Sequence, residues 1–147
     1  MIKVTSSVEI EHDPNEVFQY IADPENNPQW QSGMKSCKWE SKHHNWIGST
    51  YIQEASFLGK EIESTFEIID FQQGYIIKGQ SISGTFPITF TRIVESTPNG
   101  CKVTAIVEGD PKGVFKIAQP LMTWMVKYSV EKDYQKLKSM FENENSD

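Results

Sequence analysis

Asp133 and Ser129 are polar exceptions on an apolar helical stripe near the end of the chain. Phe115, Ala118, Met122, Val126, Val130, Leu137 and Met140 form that stripe when the segment is wound at 3.6 residues per turn. A carboxylate placed there can be partly buried, shift its pKa, and hydrogen-bond a ligand or act as an acid or base. It can equally reach the rim, or satisfy a backbone or indole donor. Arg92 falls in phase with inward-facing Phe90, and is either the partner of Asp133 or a solvated arginine near a strand end.

Other chemistries find less support. His43 and His44 are adjacent, so on a strand their rings diverge to opposite faces, and no third ligand lies at a metal-binding spacing. No metal site and no cofactor are expected. His12 stands where the first strand ends and reads as a surface residue. There is no G-x-S-x-G elbow and no cysteine–histidine arrangement, and Gly48, Gly59, Gly79 and Gly84 are scattered turn or bulge glycines rather than a phosphate loop. Cys37 and Cys101 are too few for a disulfide framework and read as small hydrophobes packed in strands.

What the residues do suggest is space. Small Ser64, Gly79 and Ser81 alternate inward beside large Phe66 and Phe90, and small residues beneath a long helix leave volume for a small molecule. The alternative is that Phe115, Met122 and Met140 fill that volume. Trp30 sits on a short broken element, where it either gates the cavity mouth or packs in the core. Trp39 reads as core and Trp46 as a turn residue. Trp124 belongs to a second apolar group, with Ile117, Leu121, Met125 and Tyr128, roughly 140° around the helix from the first stripe. A helix with two apolar faces is either covered twice within the monomer or used for association; a homodimer through Ile117, Leu121, Trp124 and Met125 is the expectation.

The elements that hold these residues follow from periodicity. Ile2, Val4, Val8 and Ile10 mark a first strand. Asp13-Pro14-Asn15-Glu16 then caps a helix with Val17, Phe18 and Ile21 on its apolar side, stopped by Asp23-Pro24. The segment 25–31 is a second short element, broken by Pro28. Six strands follow, over 34–41, 49–57, 60–71, 75–83, 86–95 and 101–108, and the third of them carries the clearest alternation (Ile62, Ser64, Phe66, Ile68). Gln72-Gln73-Gly74 and Thr97-Pro98-Asn99-Gly100 are turns. The last helix runs from about Gly113 to Glu142, with Pro120 expected to bend or loosen its first third.

At 147 residues the chain reads as one α+β domain over 1–147. The net charge of −6 and the lack of a Lys/Arg run argue against nucleic acid and anionic membranes as partners. No apolar run is long enough to span a bilayer, and the segment MIKVTSSVEIEH has no apolar signal core, which reads as cytoplasmic.

Three stretches, DPNEVFQYIADPENNPQW (13–30), FLGKEIESTFEIIDF (57–71) and YSVEKDYQKLKSMFE (128–142), resemble the SRPBCC (START-like, helix-grip) superfamily, in particular its bacterial polyketide cyclase/dehydrase-like proteins. The resemblance covers nearly the whole chain and rests on fold markers rather than a catalytic signature. It implies a seven-stranded curved antiparallel sheet gripping the C-terminal helix, two short helices after strand 1, and a deep cavity between sheet and helix. A carrier or sensor of a small hydrophobic or aromatic molecule is the leading expectation. Trp30, Ser64, Phe66, Gly79, Ser81, Phe90, Phe115, Met122, Val126 and Ser129 would line its site. A cyclase/dehydratase-type enzyme using Asp133 and a protein-interaction domain are the alternatives.

Overall fold

In a computed structural model, residues 1–44, 47–57, 59–84, 87–111 and 114–145 are described, the last stretch without the side chains of residues 114, 115, 144 and 145. Strand β1 (Ile2–Ile10) leads into helix α1 (Pro14–Ile21), a 3-10 turn at Pro24–Asn26 and a single helical turn, α2 (Asn27–Trp30). Six strands follow: β2 (Met34–Trp39), β3 (Thr50–Phe57), β4 (Lys60–Gln72), β5 (Ile76–Ser83), β6 (Ile88–Thr97) and β7 (Gly100–Gly109). The chain closes with α3 (Val114–Ile117) and α4 (Gln119–Asn145).

All seven strands form one antiparallel sheet in the order β1-β7-β6-β5-β4-β3-β2. The six later strands are a simple meander, in which each strand pairs antiparallel with its predecessor. β1 closes against β7 in unbroken register from Ile2 opposite Gly109 to Ile10 opposite Cys101. Its inward set, Ile2, Val4, Val8 and Ile10, is buried while Lys3, Glu9 and Glu11 face water, as strict alternation demands. Asp13 caps α1 by accepting from the Glu16 amide at 3.1 Å, with Pro14 preset for the first turn.

The expected unbroken helix is in fact divided. Ala118 forms a turn between α3 and α4, and Pro120 is the second residue of α4. There its missing N–H is one of the donors a helix start leaves unused anyway, so the proline begins the helix instead of bending it. The first turn of α4 is fastened by side chains: Thr123 Oγ1 donates to Gln119 O at 2.9 Å, and Gln119 Nε2 donates to Met1 O at 3.2 Å. At the other end Lys138 Nζ donates to Glu9 O at 2.7 Å, and Glu142 accepts from Glu11 N at 3.1 Å and from Lys138 at 2.7 Å. These bonds hold the Glu142 carboxyl below its ordinary range.

The core beneath α4 has two unequal parts. Phe18, Ile21, Trp30, Tyr51, Phe66, Ile68, Val103, Tyr134, Leu137 and Phe141 pack as one large cluster under the C-terminal half of the helix. Under the N-terminal half Ile2, Val4 and Met122 alone are fully buried among the described residues, with Phe57, Ala118, Val126 and Val130 around them. One end of the helix lies on a filled floor and the other on a thin one.

The β6–β7 turn depends on a glycine for want of room. A Cβ on Gly100 would lie 2.1 Å from Ile10 O and 2.7 Å from His12 N, both backbone atoms of the neighbouring strand end. Gly100→Ala should therefore part β7 from β1 and cost about 2–4 kcal/mol. Chemical denaturation would check this, and a midpoint unchanged from the parent would refute it.

Candidate functional site

The thin end of the core contains a cavity of about 190 Å³. Met122 and Val126 of α4 form its roof, with Ile2 and Val107 on one side. Ala55, Phe57, Ile62 and Ile88 line the sheet, and the segment Ser32-Gly33-Met34 forms the remaining wall.

That wall is fixed from two directions. Asp133 Oδ1 accepts from Ser32 N at 3.0 Å and from Ser32 Oγ at 2.9 Å. Gly33 O accepts from Ser56 N at 2.7 Å, and Gly33 sits at φ +83°, where a side chain would be strained. Asp133 thus serves as a strut behind the wall and is not among the lining residues. Burial raises its carboxyl above the ordinary value, opposed by the two bonds from Ser32 and by Lys132 and Lys136.

Polar groups on the cavity wall fall into two kinds. Ser32 is already engaged by Asp133. Gln53 and Ser64 are cross-strand partners on the inward faces of β3 and β4, and neither side chain makes a hydrogen bond with another described residue. Ser64 is 5% exposed, so its hydroxyl has little besides the cavity to address. Glu108 also borders the space, but alternation sends it toward the outer face of β7, between Lys3 and Thr89.

Of the residues expected to line a site, Ser64, Met122 and Val126 meet at this cavity and others do not. Trp30 is wholly buried in the large cluster, edge-on to Tyr134 at 4.9 Å, so it is a core wedge and not a gate. Gly79 opens no space: the Phe90 ring lies 2.5 Å from where its Cβ would be, filling the notch. Phe66 is buried between Tyr51 at 5.5 Å and Phe90 at 5.9 Å. Ser81 spends its hydroxyl accepting from Ile88 N at 2.9 Å. Ser129 is half-buried away from the lining set. The Phe115 side chain, Trp46 and Phe86 lie outside the described residues.

Arg92 is neither solvated nor paired with Asp133. It is 6% exposed, donates from Nη1 to Ile21 O at 2.8 Å and Asn27 Oδ1 at 3.1 Å, and lies 4.9 Å over the Trp30 ring. His12, expected on the surface, tucks its ring against Phe141 at 4.8 Å and pairs with Glu16. His44 stacks on Trp39 at 4.7 Å, and no cluster among the described residues could hold a metal ion. Burial pushes both the Cys37 and the Cys101 thiol up to about 11, which leaves them protonated and poor nucleophiles. Gln53 escaped the sequence reading because alternation identifies a residue's face but not its position along the strand relative to the helix, and Ser32 and Gly33 because they lie in the turn before β2, where alternation says nothing.

The model of the family described as polyketide cyclase / dehydrase and lipid transport matches residues 1–142. The chain belongs to that family. Solved structures with the same architecture include Thermus thermophilus TTHA0849, 16% identical with a TM-score of 0.80 over 93% of this chain and 94% of that one. A START superfamily protein from Mycobacterium smegmatis is 14% identical, with a TM-score of 0.78 over 96% and 97%. The di-domain ARO/CYC StfQ from the steffimycin biosynthetic pathway is 10% identical, with a TM-score of 0.77 over 99% of this chain and 52% of that one. At these identities the likeness establishes the helix-grip fold alone. No curated protein matches the chain. No helix among the described residues is long and apolar enough to cross a membrane.

The strut makes a prediction about pH. A carboxyl whose pKa is raised by folding adds stability below its unfolded value and loses that contribution as pH rises through the folded value. Asp133→Asn keeps an acceptor for Ser32 and removes the ionisation, so it should flatten the stability profile just above the ordinary carboxylate range. Asp133→Ala strands both Ser32 donors and should cost about 1–3 kcal/mol. Thermal melts across pH 4 to 7 would test both, and a profile that Asp133→Asn leaves unchanged would refute the buried-acid account.

Proposed function

We propose that this protein binds a compact apolar or single-ring aromatic molecule carrying one neutral hydrogen-bonding group, and acts as its carrier or sensor. The observation that carries this reading is the pairing of an apolar cavity with two polar side chains, Gln53 and Ser64, that have no described protein partner. A cavity of about 150 Å³ accepts benzene. The 190 Å³ available here therefore suits one ring and a small substituent, while three or four fused rings would need the walls to part. Gln53 offers both an amide donor and a carbonyl acceptor, and Ser64 a rotatable hydroxyl, so an alcohol, phenol, ketone or amide can be satisfied. An anion would meet no lysine or arginine among the lining residues.

Enclosing about 200 Å² of apolar ligand surface yields on the order of 5 kcal/mol before ordering costs, so affinity should be modest. The cyclase/dehydratase reading draws support from the family's description, but its best acid/base residue, Asp133, stands behind Ser32 and is occupied by it.

Titration with toluene, p-cresol and p-toluate, followed by product analysis, separates the readings. We expect saturable one-to-one binding with p-cresol tightest and p-toluate weakest. Val126→Trp should abolish binding without unfolding the protein, because the added volume fills the cavity from the roof. Combined Gln53→Leu and Ser64→Ala should weaken p-cresol roughly 5- to 150-fold and leave toluene unchanged, since each of two lost hydrogen bonds is worth about 0.5–1.5 kcal/mol. No saturable binding by any probe would sink the carrier reading. Conversion of a bound compound would replace it with an enzyme.

A further inference from the structure

The N-terminal half of α4 presents Met122 and Val126 to the cavity, and together with Ile117 of α3 it presents a second apolar row to the outside. Ile117, Leu121, Trp124 and Tyr128 are 86%, 56%, 63% and 58% exposed, so no described part of the monomer covers them. On α4, Leu121, Trp124 and Tyr128 are three and four residues apart and follow a helical repeat, with Ile117 preceding them on α3, and the Trp124 and Tyr128 rings stack at 5.9 Å and 14°. The row ends where polar residues take over the outer phase of the helix: Glu131, Lys132 and Gln135 are exposed.

The sequence through this row is basic, although exposed Glu131 follows it next to Tyr128. Residues 111–130 contain Lys112, Lys116 and Lys127 and no Asp or Glu, which is +3 in a chain of net charge −6, so the remaining residues carry −9. Lys116 and Lys127 are both exposed, roughly a quarter-turn around the helix from the row. The chain-wide charge argues against anionic surfaces; its distribution reverses the argument at this one place.

A second copy of the chain fits the face less well. Four exposed side chains would hide on the order of 400 Å² per partner, about half of a standard interface. A twofold arrangement would also bring like-charged lysines together. A row of Trp, Tyr, Leu and Ile edged by lysines, with a strongly polar protein behind it, has instead the composition of a helix lying in the headgroup layer.

We propose that the Ile117–Leu121–Trp124–Tyr128 row docks on an anionic lipid surface, steered by Lys116 and Lys127. In that pose α4 separates the lipid from the cavity by one helix diameter, about 10 Å. The docking rests on the row and its charge and does not require the ligand reading to hold.

The test is flotation with vesicles of phosphatidylcholine alone and of phosphatidylcholine mixed equally with phosphatidylglycerol, with sedimentation of the protein without lipid. We expect flotation with the mixed vesicles only, weakened by added salt and accompanied by a blue shift in Trp fluorescence. Combined Leu121→Ser and Trp124→Ser should abolish it. Combined Lys116→Glu and Lys127→Glu should reduce it by roughly tenfold or more while leaving the apolar row intact. All four positions are exposed, and unchanged melting temperatures of the variants would confirm that folding is not the cause. Absence of flotation, or equal flotation with both vesicle types, overturns the proposal. So does a lipid-free dimer that Leu121→Ser with Trp124→Ser converts to monomer, which would make a second copy the occupant.

Discussion

The guanidinium of Arg92 is taken out of water with no carboxylate within ion-pairing distance among the described residues. Such a charge is tolerated only when its donors are met and its faces lie against polarisable surface. Here Ile21 O at the end of α1 and Asn27 Oδ1 at the start of α2 accept from it, and the Trp30 and Phe90 rings lie 4.9 Å and 5.2 Å away. Ile21 belongs to α1, Asn27 and Trp30 to α2, and Phe90 to β6 with Arg92 itself, so one cation fixes the two short helices to β6. Trp30 is then held where it meets Tyr134 of α4, and the filled half of the core assembles around that contact. The Tyr134 hydroxyl is raised by burial and lowered by Arg92, so even the helix senses the same charge.

Once that half is solid, the cavity follows from geometry. A curved sheet diverges from a straight helix along its length, and the residues at the divergent end are Ile2, Val4 and Met122 rather than further tryptophans and tyrosines. Close-packed interiors leave few voids larger than a water molecule, so a cavity of 190 Å³ at one end needs a frame that cannot collapse onto it. The frame is supplied by the Arg92 cluster on one side and by the Asp133–Ser32 strut beneath the wall. Polar residues serve as scaffolding here, and the groups left for a ligand are the modest ones, an amide and a hydroxyl.

The strands were legible because period-2 alternation and turn residues are local signals, and the β1-to-β7 order with its helices came out nearly as read. Faces were legible too: Ser64, Met122 and Val126 point where their phase says. What alternation cannot encode is depth along the strand and the occupant of a notch. Gly79 looked like empty space because the sequence does not show that Phe90, its cross-strand neighbour, lays its ring there. Pro120 looked like a kink because the break at Ala118 depends on where α4 first finds support, on Met1 and Ile2 at the far edge of the sheet. Arg92 looked solvated because burying an arginine requires partners from residues 65 and 71 positions away.

The same long-range logic explains why the two faces of α4 differ so sharply over one half of its length. In the C-terminal half, α2 packs beside the helix and widens its buried arc to include both Asp133 and Tyr134. In the N-terminal half nothing described packs beside it, and the helix has only the sheet on one side. A single contact arc of that kind buries Met122 and half-buries Val126, and any apolar residue outside it must meet solvent or a partner. Leu121 and Trp124 therefore add nothing to the described core, since both are exposed on the side away from it. Solvent-facing helix positions that packing does not decide are usually filled by charged or polar residues. Leu121, Trp124 and Tyr128 in register at such positions, with Ile117 just before them on α3, require a reason outside the monomer's own stability, which is why the outer row and the cavity must be explained as separate features.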